Sequence, residues 1–238
     1  MDLTTLQPLQ SLILCGDGYF NHSNPSRFIS KQKYLKVLHL GFYMSNIEFK
    51  ISKQLRYLYL HNSTVKTLPE STSSLLNLQT LSLKDCGSLK MLPKGTKNLK
   101  NLRYLDIRGC HTLTSMPVAL GQLSFLRKLS IFILGKKDGC GIDELKELAL
   151  EGELSIKGLT NVKSAMEAKM ANLIKKHNLR SLSLSWQGNR NENSHHQNDE
   201  EVLLCSLTSF NLEEVTHNWL PRFDVSVLDD GSASTKPC

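Results

Sequence analysis

Aromatic side chains are scarce in this chain of 238 residues: Phe, Trp and Tyr together make up 7%. Its core must therefore be filled by aliphatic groups. No run approaches the roughly 18 consecutive apolar residues of a membrane-crossing helix, so no membrane partner is expected. Met1-Asp2-Leu3-Thr4 lacks the basic segment and apolar run of a secretory signal, which predicts a cytoplasmic, intracellular protein. The six cysteines, Cys15, Cys86, Cys110, Cys140, Cys205 and Cys238, are scattered, with no CxxC pair. A disulfide framework or a tetrahedral zinc site needs clustered ligands. The adjacent His195-His196 has no second ligand nearby, so no metal is expected. A GxxxxGK[ST] loop to cradle phosphates is also missing. With no converging nucleophile and base and no carboxylate pair, the chain reads as a non-enzyme with no catalytic residue and no cofactor.

Leucine is what the chain has in excess, 43 of 238 residues. It recurs as LxxLxL, with Ile allowed at the last position: Leu9-Leu12-Leu14, Leu35-Leu38-Leu40, Leu55-Leu58-Leu60, Leu78-Leu81-Leu83, Leu102-Leu105-Ile107, Leu126-Leu129-Ile131 and Leu179-Leu182-Leu184. From Leu35 the copies start 20, 23, 24 and 24 residues apart, the period of a leucine-rich repeat. The last two apolar residues of each motif are two apart and so share one face of a short strand. A single unit cannot enclose its own leucines, but stacked units bury them in one continuous core. The predicted fold is thus an α/β leucine-rich-repeat solenoid, a curved horseshoe with a parallel sheet on its concave face and irregular loops and short helices on its convex face. Its predicted core includes Leu58, Leu60, Leu81, Leu83, Leu105, Ile107, Leu129 and Ile131. Cys86 and Cys110, three residues past the last apolar position, should turn inward as small structural side chains.

The solenoid is expected over 1–186. A polar mobile loop is expected over 187–200, and a degenerate or truncated repeat with a disordered tail over 201–238. Apolar spacing predicts helices over Ile142–Leu148 and Ser164–Lys176. Residues between the inward leucines should face outward: Tyr57, Tyr59 and His61; Thr80, Ser82 and Lys84; Tyr104, Asp106 and Arg108; Lys128, Ser130 and Phe132. Of these, Tyr57, Tyr59, His61, Lys84, Tyr104, Arg108 and Lys128 are the candidate partner-binding residues, because aromatic and cationic side chains make good interface anchors. Asp106 beside Arg108 reads as a surface ion pair. Charge is segregated: residues 27–137 carry 19 Lys/Arg against 4 Asp/Glu, and the rest carry 10 against 18. The basic section suggests an acidic partner surface. The alternatives are a nucleic-acid-binding basic surface or a generic scaffold; no nucleic-acid motif accompanies the charge.

Several ordered segments extend the pattern beyond the strands. Leu55-Arg56-Tyr57-Leu58 leads to Leu68-Pro69-Glu70, then to Leu76-Asn77-Leu78-Gln79-Thr80-Leu81 and Leu99-Lys100-Asn101-Leu102-Arg103-Tyr104-Leu105, then Met116-Pro117. Later come Gly141-Ile142-Asp143-Glu144-Leu145, Gly152-Glu153-Leu154-Ser155-Ile156, Leu159-Thr160-Asn161-Val162 and Leu182-Ser183-Leu184-Ser185-Trp186. Over roughly residues 30–187 this set resembles the leucine-rich-repeat region of plant intracellular nucleotide-binding disease-resistance proteins, particularly the coiled-coil class. The resemblance implies a protein-recognition role in plant innate immunity. The repeats would sense a pathogen effector or a modified, guarded host protein and restrain a neighbouring nucleotide-binding switch domain. With no phosphate loop of its own, the chain would be a fragment lacking that domain, or a shortened relative.

Overall fold

The computed structural model describes residues 8–15, 25–41, 52–186 and 214–218. Among these residues ten strands form two all-parallel sheets. The first holds β1 (Ser11–Cys15), β2 (Val37–Gly41), β3 (Tyr57–Leu60), β4 (Thr80–Ser82), β5 (Tyr104–Asp106) and β6 (Lys128–Leu129) in sequence order. The second holds β7 (Ile131–Ile133), β8 (Gly152–Lys157), β9 (Leu179–Ser185) and β10 (Glu214–Asn218), again each beside its sequence neighbour. Every coil therefore contacts the next one along the chain, which is the geometry of a solenoid. The predicted loop 187–200 lies outside the described residues, and of the predicted degenerate tail 201–238 only β10 is described.

Register follows from the leucine pattern. Leu12, Leu38, Leu58, Leu81, Leu105 and Leu129 are paired strand to strand in one row, and all are buried. Leu60, Leu83, Ile107, Cys86 and Cys110 are buried in the same cluster. The Cys86 thiol donates to Leu60 O at 3.0 Å and the Cys110 thiol to Leu83 O at 3.1 Å, each reaching the carbonyl of the preceding coil. Between strands the chain returns through short 3₁₀ turns, such as Glu70–Ser74 and Lys94–Asn98, which start after Pro69 and Pro93. Proline suits that place because it has no N–H to leave unbonded and its φ is already set.

Strand exits share a second device. Asn62, Asp85 and Gly109 occupy the same place in three successive coils with φ of 53°, 62° and 76°. Asn and Asp tolerate this left-handed region better than other side chains. At Gly109 a Cβ would come within 2.8 Å of Asp85 Cα, so only glycine fits.

The sheets part at Ser130. Leu129 still pairs with Leu105, but the next inward residue is Phe132, which pairs with Ile156. One extra residue lies between them. Ser130 accommodates it by donating its N–H to Leu105 O and accepting the Ile107 N–H on Oγ. The expected outward position of Phe132 is therefore corrected: it is 0% exposed, whereas Ile131 sits at the core margin at 9%. Period-2 alternation fails across such a bulge.

Two helix expectations are also corrected. Within Ser164–Lys176 the α-helix covers only Ala165–Met170. Ser164 Oγ caps it by accepting Glu167 N–H, and Glu167 returns a carboxylate oxygen to Lys163 N–H, close to a capping box. The helix ends before Asn172, which is left-handed at φ 51°, and a 3₁₀ turn, Leu173–Lys175, follows. Ile142–Leu145 is likewise a 3₁₀ turn. Just beyond, Lys176 is buried, and its ammonium donates to Leu148 O at 2.6 Å and Lys146 O at 3.3 Å. Burial pushes its pKa down to about 8, against a small opposing pull from Glu147.

Candidate functional site

The strand register that sinks the leucines lifts three rows of side chains onto the concave face. The first row runs Val37, Tyr57, Thr80, Tyr104 and Lys128; the second runs His39, Tyr59, Ser82 and Asp106. At the strand exits lie His61, Lys84 and Arg108, linked through Asn62 N–H to Lys84 O and Asp85 N–H to Arg108 O.

Three rings meet at the centre. His39 and His61 stand edge to face with centroids 5.1 Å apart, and Tyr59 lies 5.6 Å from His39 and 5.9 Å from His61. His61 Nε2 shares a 2.8 Å hydrogen bond with Ser82 Oγ. Burial and then the neighbouring His39 lower the His61 pKa, so the imidazole stays neutral at a pH where a free one begins to charge. Tyr57 donates its hydroxyl to Gln79 Oε1 at 3.3 Å.

A second cluster surrounds Asp106. Its carboxylate accepts Arg108 Nη2 at 2.6 Å, Arg108 Nε at 3.0 Å, the Arg108 backbone N–H at 3.1 Å and the Tyr104 hydroxyl at 3.0 Å. Burial alone would raise its pKa, but the hydrogen bonds from Arg108 and Tyr104 outweigh that and hold it at about 2. The same pairing raises the Arg108 pKa, and burial together with the Asp106 bond raises that of Tyr104. The pair is not the surface ion pair expected: Asp106 is buried while Arg108 is exposed.

Ser82 and Thr80 are likewise buried rather than outward-facing. Each is a small side chain whose row neighbours are large: Thr80 lies between Tyr57 and Tyr104, and His61 bonds to Ser82. Of the predicted binding residues, the structure brings Tyr59 and His61 together, joins Tyr104 to Arg108 through Asp106, and sets Lys128 beside Tyr104. Lys84 is exposed, and no ion pair engages it among the described residues. His39 was missed by sequence reasoning, although counting back one repeat from Tyr59 would have found it. Among the described residues no three His, Cys, Asp or Glu converge to hold a metal, and no helix is long and apolar enough to cross a membrane.

Parallel coils one repeat long, with a leucine ladder beneath the sheet and a polar face above it, define a leucine-rich-repeat protein. Residues 3–228 match the model of the leucine-rich repeat region family, and the chain belongs to that family. It is 56% identical over 156 residues to the Arabidopsis thaliana disease resistance protein At3g14460, covering 64% of this chain and 11% of that protein. Disease resistance protein RGA2 of Solanum bulbocastanum is 42% identical over 210 residues, 76% of this chain and 21% of RGA2. The resemblance to the repeat region of plant disease-resistance proteins is therefore shown, and the chain spans about a fifth or less of these relatives. A leucine-rich-repeat protein of Leptospira interrogans shares the fold, with a TM-score of 0.50 at 20% identity over 80% of this chain and 50% of its own.

Proposed function

We propose that this chain is a non-catalytic protein-recognition segment of plant innate immunity. Its concave face engages a pathogen effector or a modified host protein inside the cell. In a full-length relative the same repeats restrain a nucleotide-binding switch domain by docking an acidic surface on it. The observation that carries this reading is the composition of the concave face. A central ring cluster of His39, Tyr59 and His61 is bordered by the exposed cations Lys84, Arg108 and Lys128, and its buried carboxylate is already neutralised. Rigid rings bury area with little entropy loss, and bordering cations steer an acidic partner.

The test is capture of the nucleotide-binding region of a full-length relative by this chain. Lys84→Glu with Lys128→Glu should weaken capture and flatten its salt dependence, because both lysines lie on the border of the face and hold no described ion pair. Capture that keeps its wild-type strength and salt response rejects the assignment. Arg108 is the wrong residue to reverse, since it holds Asp106.

A further inference from the structure

Five successive coils enter the first sheet through the same two-residue turn: Lys33-Tyr34, Lys53-Gln54, Leu76-Asn77, Lys100-Asn101 and Ser124-Phe125. After each turn comes one inward leucine, and then Lys36, Arg56, Gln79, Arg103 or Arg127. Backbone hydrogen bonds tie these last residues into a line: Arg56 N–H to Lys36 O, Gln79 N–H to Arg56 O, Arg103 N–H to Gln79 O and Arg127 N–H to Arg103 O. With strands about 4.8 Å apart, four of the five positions are cationic along roughly 19 Å of one edge. Lys33, Lys53 and Lys100 double the line at the turns.

Among the described residues no carboxylate forms an ion pair with them. Lys36 Nζ bonds Gln10 Oε1, Lys100 Nζ bonds Gln122 O and Arg127 Nη1 reaches Ala149 O, all neutral acceptors. The described carboxylates between residues 27 and 137 lie elsewhere: Glu70 in a 3₁₀ turn, Asp85 at a strand exit, and Asp106 beneath Arg108. The first acid on the line is Glu151, whose N–H bonds Arg127 O. Among these cations stand Tyr34, Leu76 and Phe125, 55%, 56% and 52% exposed, at turns two coils apart.

We propose that this strand-entry edge docks on an anionic lipid bilayer. Strand ends along one side of the solenoid can meet a flat partner together, and seven cations with no described ion pair suit its surface potential. The apolar groups protrude singly, roughly 10 Å apart by the strand spacing, with cations between them. A protein partner would call for a contiguous apolar core with a polar rim, whereas a headgroup layer accepts isolated side chains one at a time. The lack of a long apolar helix bears on crossing a membrane, not on lying against one. The cations of this edge are spaced one per repeat and form no run in the sequence.

The test is co-sedimentation of the full chain with vesicles of phosphatidylcholine alone, or with about a third phosphatidylserine. Binding should require the anionic lipid and fall as salt rises. Arg56→Gln, Arg103→Gln and Arg127→Gln together should lower the partition coefficient on the order of 100-fold. Lys33→Gln, Lys53→Gln and Lys100→Gln should give a loss of similar size, which keeps the test open if the arginine variant does not fold. Lys84→Glu, on the opposite strand edge, should leave vesicle binding unchanged while impairing capture of the nucleotide-binding region, so the two proposals fail separately. Equal binding to both vesicles, or wild-type binding by a folded triple variant, overturns the inference. So does capture of polyglutamate or a single-stranded oligonucleotide in preference to the anionic vesicles.

Discussion

The two sheets solve the same packing problem differently. In the first, the coils from β3 to β5 repeat one another: a corner turn, an inward leucine, a short strand, and a left-handed exit. In the second, strands lengthen to seven residues in β9, a capped helix replaces a 3₁₀ return, and a buried lysine ties one coil to the previous one. Charge differs as well. Residues 27–137 hold 19 Lys/Arg against 4 Asp/Glu, whereas 138–186 hold 7 against 7. A regular array needs one solution used many times, so it shows in the sequence as a period. An irregular array needs a separate fit at each coil, and its residues look individually unremarkable.

The sharpest way to break the comparison is at the junction. Phe132→Ala should destabilise the chain by about 3–5 kcal/mol, and Leu81→Ala inside the regular section by about 2–5 kcal/mol, both through cavities. Equilibrium urea unfolding measures both, and a Phe132→Ala loss below about 1 kcal/mol would show that the junction is not packed as described. Lys176 makes a pH-dependent difference. Its folded pKa of about 8 lies below the free value, so the unfolded chain binds more protons. Wild-type stability should therefore rise relative to Lys176→Met as pH climbs from about 8 to 10.4, by up to about 3 kcal/mol. A gap that is flat over that interval would mean the ammonium is solvated.

In the regular section the slope has the same sign, rising with pH, but its window lies at low pH. Asp106, held at about 2, lies below its unfolded value near 3.9. Its contribution of about 2 kcal/mol is present above that unfolded value and disappears as pH falls through about 2. Arg108→Ala should remove most of it at pH 7 and little at pH 2, as read by denaturant titrations at the two pH values. The smallest effect is Ser82→Ala. A freely solvated serine would cost less than about 0.5 kcal/mol, but a buried hydroxyl bonded to His61 should cost about 1 kcal/mol. A shift in the His61 titration by NMR should accompany that loss.

The period made the first sheet legible down to which leucine pairs with which, because six coils agree. Ile131 shows the limit of that reading. It satisfies LxxLxL as well as any residue, yet one inserted position beside it hands the inward place to Phe132. The break at Asn172 was hidden for a related reason: good helix formers surround it, and its left-handed backbone is imposed by the need to turn back to the sheet. On the concave face the rows could be listed, but burial could not. Whether Ser82 and Thr80 meet water depends on the size of cross-strand neighbours 20 or more residues away, which no local pattern records, and Asp106 is enclosed with the Tyr104 and Arg108 side chains that bond to it. His39 was legible and simply one repeat earlier.

The thiols beneath the strand exits turn the solenoid into its own gauge of fraying. Cys86 and Cys110 each give their proton to the backbone of the coil before, and burial pushes the Cys110 pKa up to about 12. An alkylating reagent reacts with thiolate, so it must wait until neighbouring coils separate. Labelling rates at the two positions would then time how readily adjacent turns unzip, site by site, with no cysteine introduced.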